Sequence, residues 1–321
     1  MARQEPDLSV ILIVERQRVR AGRALASLLQ QSAIERMEIL LIDLAGAYHG
    51  PIAGSQHSRV RIHYETEAAT YGQALAAGVR SAEAPVVAFL EEHARALPGW
   101  GEALLNAHRG PWAGVGCLVT PAAADNRLSA ASSMLNDRLW RPGSPGGEAE
   151  TIRGHNSAYK RGVLLDLEPK LVQWLEFEPL LHEHLRGMGF QLLVDPQARI
   201  THLNDTTIAS TCRVYRTWNR ALGPARGKFY GWGVLGRLGR IIALPAIPFW
   251  RTLVLAWAYR HDPPAFRQLL WLLPEILLIG ACAAFGQSVG LLLGPGDGLK
   301  QFKDHELNAD RWEPQPLEGS P

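Results

Sequence analysis

Three short stretches put chemically versatile side chains directly after β-branched runs, and in an open α/β sheet ligands bind beyond the carboxyl ends of the strands. The first is Phe89-Leu90-Glu91-Glu92-His93. Strand alternation sends Glu91 and His93 to the same side. An oxygen donor beside a nitrogen donor suits a divalent transition ion such as Mn2+ better than an all-oxygen Mg2+ cage; the same three residues also fit a solvated acidic turn. The second is Ile200-Thr201-His202-Leu203-Asn204, where another imidazole could complete a coordination sphere with His93 or serve as a capped structural residue. The third, Asp43, ends Glu38-Ile39-Leu40-Leu41-Ile42 with a carboxylate able to accept hydrogen bonds from a base or a ribose, although Asp is common in turns after strands.

These residues need a scaffold, and the sequence supplies the rhythm of one. Apolar, β-branched runs over 8–14, 38–42, 60–64, 86–90 and 115–120 alternate with helical periodicity over 21–30, 71–80 and 101–107. That alternation predicts a mostly parallel, doubly wound sheet. Residues 141–150 are rich in Pro and Gly and read as a mobile loop able to close over a ligand. A helix over 174–188 and a strand over 191–194 follow. No GxGxxG follows the first strand, where Val14-Glu15-Arg16 stands, and no Walker-type loop occurs, which disfavours a dinucleotide-dependent dehydrogenase and a P-loop enzyme.

Composition narrows the class further. A chain of 321 residues with 47% hydrophobic content can bury a full core. The net charge of +2 hides an asymmetry: between Arg213 and Arg260 there is no Asp or Glu, whereas Arg216, Arg220, Arg226, Lys228, Arg237, Arg240 and Arg251 are interleaved with Trp218, Trp232, Trp250 and Trp257. Such a stretch seeks an anionic neighbour, and its Trp residues and apolar runs favour a membrane surface over nucleic acid. Cys117, Cys212 and Cys282 form no CxxC pair, so neither a disulfide framework nor a thiolate zinc site is indicated. A charged segment follows the apolar run at 8–14 at once, so no signal peptide is expected.

The uncharged run 276–294 approaches the roughly 20 residues needed to cross a bilayer, with Gly280, Gly286, Gly290 and Gly294 permitting close helix packing. The run from Ile241 to Tyr259 is interrupted by Pro245, Pro248 and Arg251 and reads as interfacial or re-entrant. A helical hairpin packed in a soluble core is the alternative for both.

Taken together, these features resemble the family 2 glycosyltransferases, whose nucleotide-binding α/β fold is called GT-A, over residues 7 to 205. The carriers are Leu8-Ser9-Val10-Ile11-Leu12-Ile13-Val14, the helix end Ser27-Leu28-Leu29-Gln30-Gln31-Ser32 and Ile39-Leu40-Leu41-Ile42-Asp43, which look like the family's first βαβ unit. Glu91-Glu92-His93 with Pro98-Gly99-Trp100 falls where the family has its DxD metal motif and the proline after it. The resemblance implies that Asp43 contacts the nucleobase, that Glu91 faces the ribose or a metal-bound water, and that His93 and His202 hold the ion. It further implies that Asn156, within Arg153-Gly154-His155-Asn156, faces the donor. Counting back from Leu185-Arg186-Gly187-Met188-Gly189-Phe190 places Glu178 where the family carries the Asp of its ED motif, making Glu178 the candidate general base, with Glu176 and Glu183 nearby.

Departures are plain: the DxD aspartates are Glu and His, the ED motif is Phe177-Glu178, and the family's frequent Arg-Asn pair before the donor-site glycine is Leu75-Ala76. No QxxRW occurs, which favours transfer of a single sugar over polymerisation. The expectation is therefore a GT-A (Rossmann-like) domain over 1–205, a basic amphipathic connector over 206–233, membrane-associated hydrophobic and amphipathic helices over 234–298 and a disordered polar tail over 299–321. The function expected is an inverting, family 2, hexosyltransferase-like enzyme using a divalent metal, Mn2+ or Mg2+, and a nucleotide-sugar donor. Its acceptor would be a membrane lipid or lipid-linked sugar at the cytoplasmic face of the cell inner membrane, with no nucleic-acid partner. A catalytically degenerate nucleotide-sugar-binding or scaffold protein is the competing expectation.

Overall fold

The structure, a computed structural model, describes residues 5–46 and 49–311, and these fall into two compact units: 5–46, 49–120 and 139–202 in one, and 121–138 with 203–311 in the other. In the first unit the chain runs β1 (Leu8–Val14), α1 (Arg18–Leu29), β2 (Met37–Asp43), β3 (Val60–Tyr64), α2 (Tyr71–Ser81), β4 (Val86–Leu90), β5 (Ala94–Ala96), α3 (Trp100–Ala107) and β6 (Gly114–Pro121). After α4 (Arg127–Asn136), which belongs to the second unit, it returns as β7 (Gly147–Ala149), β8 (Ser157–Lys160), α5 (Arg161–Leu165), α6 (Leu171–Leu175), α7 (Glu178–Gly187) and β9 (Leu192–His202).

The sheet order is β3-β2-β1-β4-β8-β6-β9-β5, with β7 paired on β9. Only β3, β2, β1 and β4 are parallel. β8 runs antiparallel to both β4 and β6, as do β5 and β7 to β9, so the expectation of a mostly parallel sheet holds for one half alone. Likewise the segment expected as a loop over 141–150 ends in β7, whose backbone is paired on β9.

β1 and β2 are buried along their whole length, as strands covered on both faces require, and their alternate residues share one core with Ala24, Leu25 and Leu28 of α1 and Trp100 and Leu104 of α3. Gly78 lets α2 lie against β1: a Cβ there would stand 2.6 Å from Ile11 Cγ2. Thr70 caps α2 reciprocally with Gln73, fixing where that helix starts.

The second unit is helical. Besides α4 it holds α8 (Ile208–Phe229), α9 (Val234–Ala243), α10 (Ile247–Tyr259), α11 (Pro263–Trp271), α12 (Leu273–Leu293) and α13 (Gly298–Asn308). The expected connector over 206–233 is thus mainly one long helix, and 121–138 leaves the expected first domain to pack Ala130, Ala131, Met134 and Leu135 with Leu255, Leu269, Leu272, Ile276 and Ile279. The tail expected to be disordered from 299 is helical to Asn308, because Phe302 and Leu307 give α13 a buried apolar side; residues 312–321 lie outside the described residues.

Two stretches, Val234–Tyr259 and Leu273–Leu293, are long and apolar enough to cross a membrane by length and composition. α12 packs closely on α8: a Cβ at Gly286 would lie 2.2 Å from the Arg216 carbonyl oxygen, and one at Gly290 2.0 Å from that of Arg220. Those are backbone atoms of a helix and cannot yield. Gly290→Ala is therefore expected to destabilise the helical unit by about 1–3 kcal/mol, whereas Gly239→Ala in α9, with nothing within 4 Å of its added Cβ, is expected to be neutral or slightly stabilising. Thermal unfolding of the two purified variants beside the wild type reads the difference.

Candidate active site

Two antiparallel pairings assemble the site. β4 and β8 register Val86 with Lys160 and Ala88 with Ala158. Continuing that register past β4 brings Glu91 to the short helical turn Gly154–Asn156 that precedes β8. β5 and β9 register Ala94 with His202, which sets His202 beside His93. Their rings meet edge-on, with centroids 4.7 Å apart.

The result is a buried cluster in which one ligand atom each from Glu91, His93 and His202 lies within 4.8 Å of the others. His202 Nε2 stands 2.9 Å from Glu91 Oε2 and His93 Nε2 3.7 Å from the same oxygen. Asn156 clasps Glu91 from the side: its Nδ2 donates to Glu91 Oε2 and its Oδ1 accepts from the Glu91 backbone amide at 3.1 Å. The Cys117 thiol in turn donates to the Asn156 carbonyl at 3.0 Å. Burial alone would raise the Glu91 carboxyl, but the His93 charge and hydrogen bonds from His155 and His202 hold it well below its usual value.

These residues fit a divalent cation: two imidazole nitrogens and one carboxylate oxygen converge with little solvent, a mixed set suited to Mn2+ and its neighbours. The metal-free contacts also compete. His202 Nε2 faces both Glu91 Oε2, which needs a donor, and an Arg153 guanidinium nitrogen at 3.2 Å, which needs an acceptor. One ring nitrogen cannot satisfy both; a cation shared by Nε2 and the Glu91 oxygen would supply the positive partner that the carboxylate needs.

Glu178 opens α7 and ion-pairs through Oε1 with His155 Nε2, while His155 Nδ1 lies 3.3 Å from Glu91 Oε1. His155 therefore bridges the metal-ligating candidate and the candidate base. Burial would depress the His155 pKa, but Glu178 and Glu91 raise it to about 10; burial would raise Glu178, and His155 pulls it below its usual value. A Cβ on Gly154 would fall 1.8 Å from Glu178 Cγ, so the glycine makes the room that the glutamate occupies. Glu176 is likewise seated against Gly72, where a Cβ would meet it at 2.7 Å. Burial pushes the Glu176 carboxyl up to about 7 against hydrogen bonds from Thr70 and Gly72.

Of the residues singled out from sequence, Glu91, His93, His202 and Asn156 stand together, and Glu178 joins them through His155. Asp43 stands apart from this cluster, at the end of β2. Its oxygens take a bidentate pair from Arg18 at 2.7 and 3.0 Å, and Oδ1 also accepts the Ala45 and Gly46 amides. Sequence reasoning gave no role to His155, Arg153 or Glu92. The signal for His155 was its place between Gly154 and the donor-facing Asn156; nothing in the sequence tied Arg20 to Glu92, whose buried ion pair spans 72 residues.

No family model matches the sequence, and no curated protein sequence matches it. Among solved structures the chain is similar to a mannosyltransferase from Pyrobaculum calidifontis in complex with GDP-Man and Mn2+, at 16% identity over 95% of this chain and 88% of that one, TM-score 0.51. GalNAc-T7 with UDP, GalNAc and Mn2+ aligns with 62% of this chain and 44% of its own at 15% identity, TM-score 0.43. The first likeness shows the fold: a Rossmann-like α/β unit of GT-A type, followed in this chain by two apolar C-terminal helices.

Proposed function

We propose that this chain is a metal-dependent, inverting glycosyltransferase, family 2-like and hexosyl-transferring, that moves one sugar from a nucleotide-sugar donor to a membrane-proximal lipid or lipid-linked acceptor. The observation that carries the reading is the convergence of Glu91, His93 and His202 at the strand ends of a GT-A fold, with Glu178 joined to them through His155. The mannosyltransferase from Pyrobaculum calidifontis with this fold was solved with GDP-Man and Mn2+.

In the proposed reaction the acceptor hydroxyl attacks the sugar's anomeric carbon from the face opposite the leaving group. The bond from that carbon to the diphosphate oxygen breaks, the nucleoside diphosphate departs with the electron pair, and the hydroxyl proton passes to Glu178. His155 holds Oε1 of Glu178, so Oε2 is the proposed proton acceptor. Asn156 keeps Glu91 oriented within the donor set, and Asp43, with its Arg18 partner, is proposed to border the nucleobase. A divalent ion, Mn2+ or Mg2+, held by Glu91, His93 and His202 would neutralise the developing diphosphate charge.

A location on the cytoplasmic face of the cell inner membrane is part of the proposal. In the helical unit Val234, Leu235 and Ile242 of α9 and Trp250 and Trp257 of α10 are exposed, and Arg237 and Arg240, also exposed, lie among them in sequence. An apolar face fringed with arginines suits an anionic bilayer surface. The pairing of Asp43 with Arg18 favours the second reading, a nucleotide-sugar-binding or scaffold protein, since that carboxylate's oxygens are engaged.

Calorimetry and a turnover assay together separate the two. Nucleoside diphosphates titrated with and without Mn2+ are expected to bind only with the metal, and His93→Ala is expected to abolish that dependence; no binding by the wild type to any nucleotide would leave the scaffold. Glu178→Gln is expected to keep donor binding while lowering turnover by roughly 10²–10⁴-fold. The full chain is expected to float with vesicles containing anionic phosphatidylglycerol and less so with Leu235→Asp; flotation equal with both would remove the membrane part. For Glu176, a carboxyl raised to about 7 in the folded state binds its proton more tightly than when unfolded, so it reduces stability as pH rises through 7. Glu176→Gln is thus expected to raise the unfolding midpoint at pH 8 and to change it little at pH 5.

A further inference from the structure

Between the two buried glutamates that follow β4, only Glu91 faces the donor cluster. Glu92 turns the other way, towards the first turn of α1. There Arg20 Nη2 donates to Glu92 Oε1, and Glu92 Oε2 lies 3.1 Å from His93 Nδ1. All three side chains are buried, at 7%, 2% and 3% exposure for Arg20, Glu92 and His93. A carboxylate beside an arginine can only accept hydrogen bonds, so the hydrogen of that contact belongs to His93 Nδ1. In the uncharged form of the ring, the one able to ligate a cation, the lone pair then sits on Nε2, the nitrogen that faces Glu91.

We propose that Arg20 and Glu92 are positioning residues that hold His93 as its Nδ1–H tautomer with Nε2 directed at Glu91 and His202, and so set the affinity of this donor set for a divalent cation. The inference rests on the metal reading above for its second half only; the tautomer is a property of the metal-free protein. Three features distinguish this arrangement from an ordinary buried ion pair. It is sequential, with the arginine on one carboxylate oxygen and the imidazole on the other. It ends on a ring whose far nitrogen belongs to the only group of donors of this kind among the described residues. And it ties α1 to a residue beyond β4, so the orientation of His93 is set by helix packing and not by the turn alone. Carboxylates behind metal-ligating imidazoles fix the ring and raise its basicity, and their loss commonly weakens metal affinity by about 10–100-fold.

The test uses the full chain and two readouts. Long-range ¹⁵N–¹H correlation spectra report the His93 tautomer without metal, and calorimetric titration with Mn2+ alone reports affinity. The wild type is expected to show the Nδ1–H form. Glu92→Gln, whose amide can donate as well as accept, is expected to mix the tautomers and weaken Mn2+ binding by about 10–100-fold. Arg20→Met is expected to weaken it similarly, the double variant no more than either alone, and Arg20→Lys much less. A folded Glu92→Gln with the wild-type tautomer and Mn2+ affinity within about twofold of wild type would overturn the proposal, as would equal losses in Arg20→Lys and Arg20→Met. Should Glu92→Gln not fold, the two Arg20 variants alone decide it. An Nδ1–H tautomer that depends on Glu92 in a protein that binds no Mn2+ would support the positioning and sink the metal reading instead.

Discussion

The carboxylate of Glu91 is a buried negative charge at the end of a central strand, and much of the sheet's irregular half can be understood as what it takes to keep that charge there. An ionised carboxylate withdrawn from water without partners costs several kcal/mol. Here His93, His155 and His202 surround it and Asn156 donates to it, so that its ionised form is favoured despite burial. The four partners come from three separate parts of the chain: one from the turn after the same strand, two from the turn before β8, and one from the end of β9. The antiparallel pairings that depart from a doubly wound sheet are the ones that deliver them.

A second constraint is room. Carboxylates that must approach a backbone need the neighbouring residue to lack a side chain, and both glutamates around α6 and α7 meet a glycine: Glu176 at Gly72 and Glu178 at Gly154. The contrast in their chemistry follows from their partners. Glu178 has an imidazole against it and stays ionised; Glu176 has a hydroxyl and an amide and is driven towards its neutral form. Two carboxyls two residues apart thereby differ in protonation near neutral pH, which is how a fold separates an acidic from a basic role.

The helical unit uses the same device for a different end. Gly286 and Gly290 bring α12 onto the backbone of α8, and Gly280 brings it against Pro248 at the start of α10. Close contact of this kind replaces the volume of large side chains by backbone packing. Arg127 closes the other end by pairing with both oxygens of Glu275 while its guanidinium stacks 4.0 Å over Trp271. α9 contributes no fully buried residue to this packing, and Val234, Leu235, Leu238 and Ile242 remain outward.

By itself the sequence determined the parallel half of the sheet, since period-two and continuous apolar runs over 8–14, 37–43 and 86–90 admit few other structures, and it marked Glu91, His93 and His202 because strand ends are where side chains reach a ligand. The antiparallel half was not legible: short strands such as β5 and β7 carry three residues each, too few for a periodicity, and only pairing with β9 makes them strands. The helix at 298–308 was hidden for a related reason, its polar composition concealing the few apolar residues that pack. Tertiary structure alone decided which carboxylates are paired. Arg18 with Asp43, Arg20 with Glu92 and His155 with Glu178 join residues 25, 72 and 23 positions apart. The identity of an ionisable side chain is written in the sequence, but its partner, and with it its charge and tautomer, is fixed by distances that exist only once the strands have paired.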